Sequence, residues 1–128
     1  MTVQNAPSPC VASFDDVSIA ELESLSPDEL DALPFGVVGM AASGETEIYN
    51  ATESRIAGLR PARVLGKPFF TEVAPCMNNN LVAHRFDNEP ELDATINYVL
   101  TLRMKVTPAR LRLLRSGSAR RHYLLVQR

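Results

Sequence analysis

The stretch LDATINYVLTLRM, residues 92–104, decides the fold. Ala94, Ile96, Tyr98, Leu100, Leu102 and Met104 recur at every second position. A period of two places them on one face of a β-strand, because successive side chains of an extended chain point to opposite sides. Further on, Leu111 and Leu113 alternate with Arg110 and Arg112. Ser116-Gly117 marks a turn, and Tyr123 to Val126 supplies a last strand. Upstream, Phe35 to Met40 is apolar, Ala42 to Glu45 reads as a turn, and Thr46 to Tyr49 is again extended. That pattern predicts a hairpin.

Short helices fill the remainder. Phe14, Val17, Ile19, Leu22 and Leu25 suit one short amphipathic helix. In Ser26-Pro27-Asp28-Glu29, Ser26 can cap a second helix, Pro27 can occupy its first position, and Glu29 can close a capping box. Pro34 ends it. Asn50 can cap a helix running past Glu53 and Ile56, with Gly58 as its stop. Pro61 to Leu65 reads as a helical turn, and Asn78-Asn79-Asn80 can start a helix across Leu81, Val82 and Phe86. Two strands, several helices and three further strands imply an α+β fold: a five-stranded antiparallel sheet with short helices on one face. Residues 1–34 are expected as an N-terminal lead-in and helical cap, and residues 35–128 as the core of a single domain.

Composition narrows the function classes. The chain has 128 residues, 45% of them hydrophobic, which suits a globular domain with a real core. A net charge of −2 points to neither nucleic acid nor an anionic membrane as partner. No Asp or Glu follows Asp93, whereas Arg103, Lys105, Arg110, Arg112, Arg115, Arg120, Arg121 and Arg128 do. With Tyr123 the one aromatic near that run, the expected role is a solvated strand face paired with the acidic N-terminal half. Met1 to Pro9 lacks a basic start and an apolar run, and no stretch approaches the ~20 apolar residues of a membrane span. Two cysteines, Cys10 and Cys76, do not make a disulfide framework. Free thiols in a reducing, cytoplasmic setting are expected.

Four short motifs carry the chemistry: LPFG (33–36), IYNATE (48–53), GKPFF (66–70) and VAPC (73–76). In this order and spacing, gap-free from about Leu25 to Phe86, they resemble the photoactive yellow protein family, blue-light photoreceptors of PAS fold. The resemblance weakens after Phe86 and needs small gaps. It implies p-coumaric acid (4-hydroxycinnamic acid) joined as a thioester to Cys76, with its phenolate oxygen held by Tyr49 and Glu53. It also implies trans–cis isomerisation in light, proton transfer from Glu53, partial unfolding, and disorder of the N-terminal segment as the signal. Phe69, Phe70, Pro75, Tyr98, Leu100 and Leu102 are the expected pocket wall.

The residue types suit that chemistry. A thioester needs a nucleophilic sulfur. A phenolate in an apolar pocket needs hydrogen bonds to hold its charge. Tyr49 offers one O–H, and Glu53 a second if it is protonated, which burial away from cations and beside an anion favours. By default a lone buried cysteine is a small core residue, Tyr49 is packing, and Glu53 is a solvated helix residue; the joint pattern outweighs those defaults. Gap-free counting puts Ala57 where the family has a threonine supporting the tyrosine, and Leu59 where an arginine covers the chromophore. Arg60 stands next to the latter. Leu100 and Leu102 replace aromatic residues. The family's recovery-loop methionine corresponds to Met104 if two residues are inserted, or to Val106 on a tight count to Thr107-Pro108. An altered absorption maximum and an altered dark recovery are expected.

Two other readings compete. A chromophore-free PAS module would act by protein contact alone. A cysteine-dependent enzyme would need a base, and neither His84 nor His122 lies in a catalytic motif. No phosphate-binding glycine loop or metal-ligand spacing occurs, so no metal is expected and the chain is read as a non-enzyme. A separate downstream signalling protein is the expected partner, and the chain a monomer or weak dimer.

Overall fold

A computed structural model describes residues 13–102 and 105–128, leaving out the side chains of residues 102 and 105. Cys10 and Met104 lie outside the described residues. Helices α1 (Ile19–Ser24) and α2 (Pro27–Asp31) come first. The hairpin β1 (Gly36–Ala41) and β2 (Thr46–Tyr49) follows. Next come α3 (Ala51–Ala57), α4 (Pro61–Val64) and α5 (Ala83–Asn88), with two single turns between the last two. Strands β3 (Leu92–Leu102), β4 (Lys105–Arg115) and β5 (Arg121–Gln127) complete the chain. They form one antiparallel sheet in the order β2-β1-β5-β4-β3. This is the α+β architecture that the alternation at residues 92–104 and the upstream hairpin predict.

The period of two divides the core into halves. Val38, Met40, Leu111, Leu113, Leu124 and Val126 face one side of the sheet, where they pack with Val64, Phe69, Val82 and Phe86. Val37, Leu114, Tyr123 and Leu125 face the other. There Phe14, Val17, Leu22, Leu30, Leu33 and Phe35 cover them. The N-terminal segment thus seals the face opposite to that covered by α3–α5. Phe14 meets Phe35 edge-to-face at 5.9 Å between ring centroids.

Local signals set the helix starts. Ser26 and Glu29 form the expected capping box of α2, and Ser18 and Glu21 form a second one on α1. Phe14 and Val17 do not extend α1, because Ser18 is its cap and Ser13–Asp16 form a separate turn. The helix expected after Asn78 starts later, at Ala83, since Asn79 Oδ1 accepts from the Leu81 and Val82 N–H groups and holds them in a turn. Gly58, at φ 75°, ends α3 in the left-handed conformation that glycine adopts without strain.

Asn50 joins these parts. Its Nδ2 donates to the Leu30 carbonyl (2.8 Å) and the Phe35 carbonyl (3.1 Å). Its Oδ1 accepts from Val37 N (2.9 Å) and Glu53 N (3.0 Å). The residue is 2% exposed, so water cannot replace these bonds. Alanine at position 50 strands several buried backbone groups and is expected to cost about 3 kcal/mol, read as a lower urea midpoint at unchanged m.

His122 stacks on Phe86 at 5.7 Å with 4° between the rings. Burial, then the nearby Arg115 cation, lowers its pKa from 6.5, with Asp87 opposing. The unfolded chain therefore binds more protons at this site than the native state does. The associated stability is present above about pH 6.5 and is lost as pH falls through the lower native value. In His122→Gln the urea midpoint should fall less steeply than in wild type across that window; equal slopes would contradict this origin.

Candidate functional site

The polar end of the site is built by the start of α3. Asn50 caps the helix, and the next turn presents Glu53. Glu53 is 5% exposed and lies against Gly36 of β1. A Cβ at position 36 would overlap Glu53 Oε1 and crowd its Cβ and Cδ, so a side chain there forces the carboxylate to shift. Tyr49, the last residue of β2, is also buried. Burial, and then the nearby Glu53 carboxylate, push its phenol pKa well above the ordinary range, while Arg128 pulls the other way. Among the described residues its Oη makes no hydrogen bond.

The sequence reading expected Glu53 to be buried away from cations. The structure corrects this: Arg128 grips it, with Nη1 2.7 Å from Oε1 and Nη2 3.1 Å from Oε2. The signal that could have found Arg128 is the alternation of β5. Leu124 and Val126 face the site side of the sheet, so Arg128 faces the same way. Arg60, the neighbour of Leu59, is exposed and leads into α4.

The Cys76 end is a loop held by bonds from β3 and Asn79. Phe69–Val73 forms one wide turn closed by Ala74 N donating to the Phe69 carbonyl (2.8 Å), and Pro75–Met77 forms a tighter one. Cys76 is half-buried with a free thiol, packed against the cluster that contains Tyr49, Phe69 and Leu100. Tyr98 Oη donates to the Cys76 carbonyl at 2.7 Å. Asn79 Nδ2 donates to the same carbonyl (3.2 Å) and to Tyr98 Oη (2.7 Å). Sequence reasoning missed this use of Asn79, whose neighbours Asn78 and Asn80 look identical to it.

The other expected wall residues divide. Phe69 is buried, and Phe70 packs between it and Phe86, with centroids 5.2 and 5.9 Å away. Leu59 and Tyr98 pack against the same cluster, and Ala57 is buried. Pro75 is exposed. The backbone of Leu102 pairs with Lys105 at the end of the β3–β4 hairpin. Val106 lies within β4 rather than in a loop. It is 69% exposed and opposite Thr101, on the sheet face away from Cys76.

No family model matches the chain. Photoactive yellow protein of Halochromatium salexigens is 32% identical over 117 residues, which span 89% of this chain and 93% of that protein. The homonymous protein of Rhodothalassium salexigens is 28% identical over the same shares. Among solved structures, the photoactive yellow protein domain of the sensor histidine kinase Ppr from Rhodospirillum centenum superposes with a TM-score of 0.78 at 34% identity, covering 86% of this chain and 99% of that domain. A PAS domain of an HTR-like protein from Haloarcula marismortui, at 15% identity and a TM-score of 0.63, shares the fold.

The close approach at Gly36 can be tested directly. Gly36→Ala should lose about 1–3 kcal/mol in urea unfolding, and the loss should shrink in a Glu53→Ala background. Additive losses would show that Glu53 is not what the new methyl group meets.

Proposed function

The chain belongs to the photoactive yellow protein family, and from that premise we propose that it is a blue-light photoreceptor carrying p-coumaric acid as a thioester on Cys76. The observation that carries this reading is the shared placement of Cys76 and Tyr49 on one buried apolar cluster, with Glu53 close enough to perturb the Tyr49 phenol. The residue types suit the group: Cys76 is a half-buried thiol packed against an aromatic and aliphatic cluster that includes Tyr49, and the Glu53–Arg128 pair lies near enough to influence the Tyr49 phenol.

Bound there, p-coumaric acid supplies a double bond that isomerises on absorbing blue light and a phenol oxygen that can carry charge. Cys76 would hold the group, its thiolate Sγ displacing the leaving group from an activated acyl carbon and its proton passing to solvent. Tyr98 and Asn79 fix the Cys76 backbone, so the sulfur keeps one direction. Tyr49 Oη would donate a hydrogen bond to the phenol oxygen, and Phe69, Phe70 and Leu100 would exclude water from the apolar stem. Glu53 is the group that takes or gives a proton. An unpaired carboxylate in that position loosens the packing around β1 and α3. The output passes to a separate signalling protein, with residues 1–34 as the segment that changes.

Incubating the purified chain with activated p-coumaric acid tests the reading. A yellow product with the mass of one coumaroyl group is expected for wild type and for Cys10→Ala, and none for Cys76→Ala. Illumination with blue light should bleach the product, and the colour should return in the dark. No adduct on the wild-type chain would reduce it to a chromophore-free PAS module.

A further inference from the structure

Arg112 of β4 is buried, Arg128 just past the end of β5 is partly buried, and the two are bonded differently. Arg112 holds Asp93 with two hydrogen bonds (2.9 and 3.0 Å) and also donates to the carbonyls of Phe14 (3.0 Å) and Val17 (2.6 Å). Its donors are spread over three partners, two of them backbone, as suits a fixed structural tie. Among the described residues Arg128 bonds to Glu53 alone, with two of its donors. The side chains of Arg128 and Glu53 are 11% and 7% exposed, so solvent does little to support either charge. Each depends on the other. A fork-to-fork pair of this geometry is the arrangement of an ionised carboxylate, which accepts through both oxygens.

This has a consequence for proton chemistry at the site. A carboxylate has no proton to donate, so Glu53 as it stands accepts and cannot give. A second anion entering beside it would leave two negative charges facing one cation in a poorly solvated place. One of the two must then be neutralised. A guanidinium has five N–H donors, more than the two that Glu53 takes, so Arg128 can turn to the newcomer, and Glu53 can be neutralised by one proton.

We propose that Arg128 is a positioning residue that holds Glu53 as a carboxylate in the chromophore-free protein and releases it to be protonated when a phenolate occupies the site. The second half rests on the photoreceptor reading above; the first does not. In charge terms, the carboxylate–guanidinium pair is replaced by a phenolate–guanidinium pair and a neutral carboxylic acid. The proton on Glu53 is the one given up by the entering phenol, so no other donor is required. The cation that tunes this site thus comes from the end of β5, whereas the position expected to supply one in the family pattern carries Leu59.

Infrared difference spectra of the full chain test both halves. In the chromophore-free protein, wild type minus Glu53→Gln should show carboxylate stretches and no carboxylic-acid C=O band. In Arg128→Gln the acid band should appear at neutral pH, and Arg128→Lys should suppress it again. A purely structural loss of Arg128 would not create that band. After loading with activated p-coumaric acid, wild type should gain one acid band that is absent from loaded Glu53→Gln. An acid band in chromophore-free wild type that vanishes in Glu53→Gln would overturn the proposal, and this arm stands even if Arg128→Gln does not fold. A loaded, yellow wild type without the acid band would overturn the partner exchange. Failure to load at all would sink the photoreceptor reading while leaving the chromophore-free spectra to decide the Arg128–Glu53 pair.

Discussion

One buried side chain amide ties the molecule together. Asn50 has two donors and one acceptor oxygen, and all its hydrogen bonds go to backbone groups of four different residues. These residues lie in α2, in the link to β1, in β1 itself, and in α3. An apolar side chain could fill the volume but would leave those N–H and C=O groups without partners, which costs more than the packing returns. Thr52 Oγ1 donating to the Leu33 carbonyl (2.5 Å) and Ala51 N donating to Asp31 Oδ1 (2.7 Å) reinforce the same junction. The start of α3, and hence the direction in which Glu53 enters the core, is therefore set by the helical cap as much as by the sheet.

The sheet serves two cores with one set of strands. Because neighbours along β1 and β5 point to opposite faces, a shift of one residue in register would send Val38 and Leu124 to the cap side and Val37 and Leu125 to the site side. Ion pairs help exclude that slip. Arg112 reaches through the cap-side core to Asp93 and the carbonyls of Phe14 and Val17. Arg110 pairs with Asp15 at 2.6 Å while lying 5.0 Å from the Phe14 ring centre. These contacts pin the first described residues onto β4, far from Cys76 in sequence and on the other side of the sheet.

Much of this was legible in the residues themselves. The alternation in 92–104 and 110–113 gives strands because period two has no helical counterpart. Ser26, Pro27 and Glu29 start α2 through local hydrogen bonds that need no tertiary context. The basic C-terminal run was readable as a partner of the acidic N-terminal half, and Arg110–Asp15, Arg121–Glu47 and Arg128–Glu53 pair in that sense. That the run is a solvated face was only half right, since Arg112 is buried and Arg128 partly buried, in pairs whose members lie too far apart in sequence for any local pattern to join. Asn79 illustrates a second limit. Three consecutive asparagines are chemically equal on paper, and only the turn decides which reaches Tyr98 and the Cys76 carbonyl.

Gly36 shows how the two ends of this logic meet. Its missing side chain is the seat of the Glu53 carboxylate, and the three atoms nearest to a Cβ placed there all belong to Glu53. The two positions are therefore not free to vary separately. A lineage that exchanges Glu53 for a smaller residue removes the steric reason to keep glycine, and one that acquires a side chain at 36 must displace the acid or lose it. Sequence drift at one position is licensed by the other. A relative lacking both would mark a site that had changed its chemistry in a single correlated step.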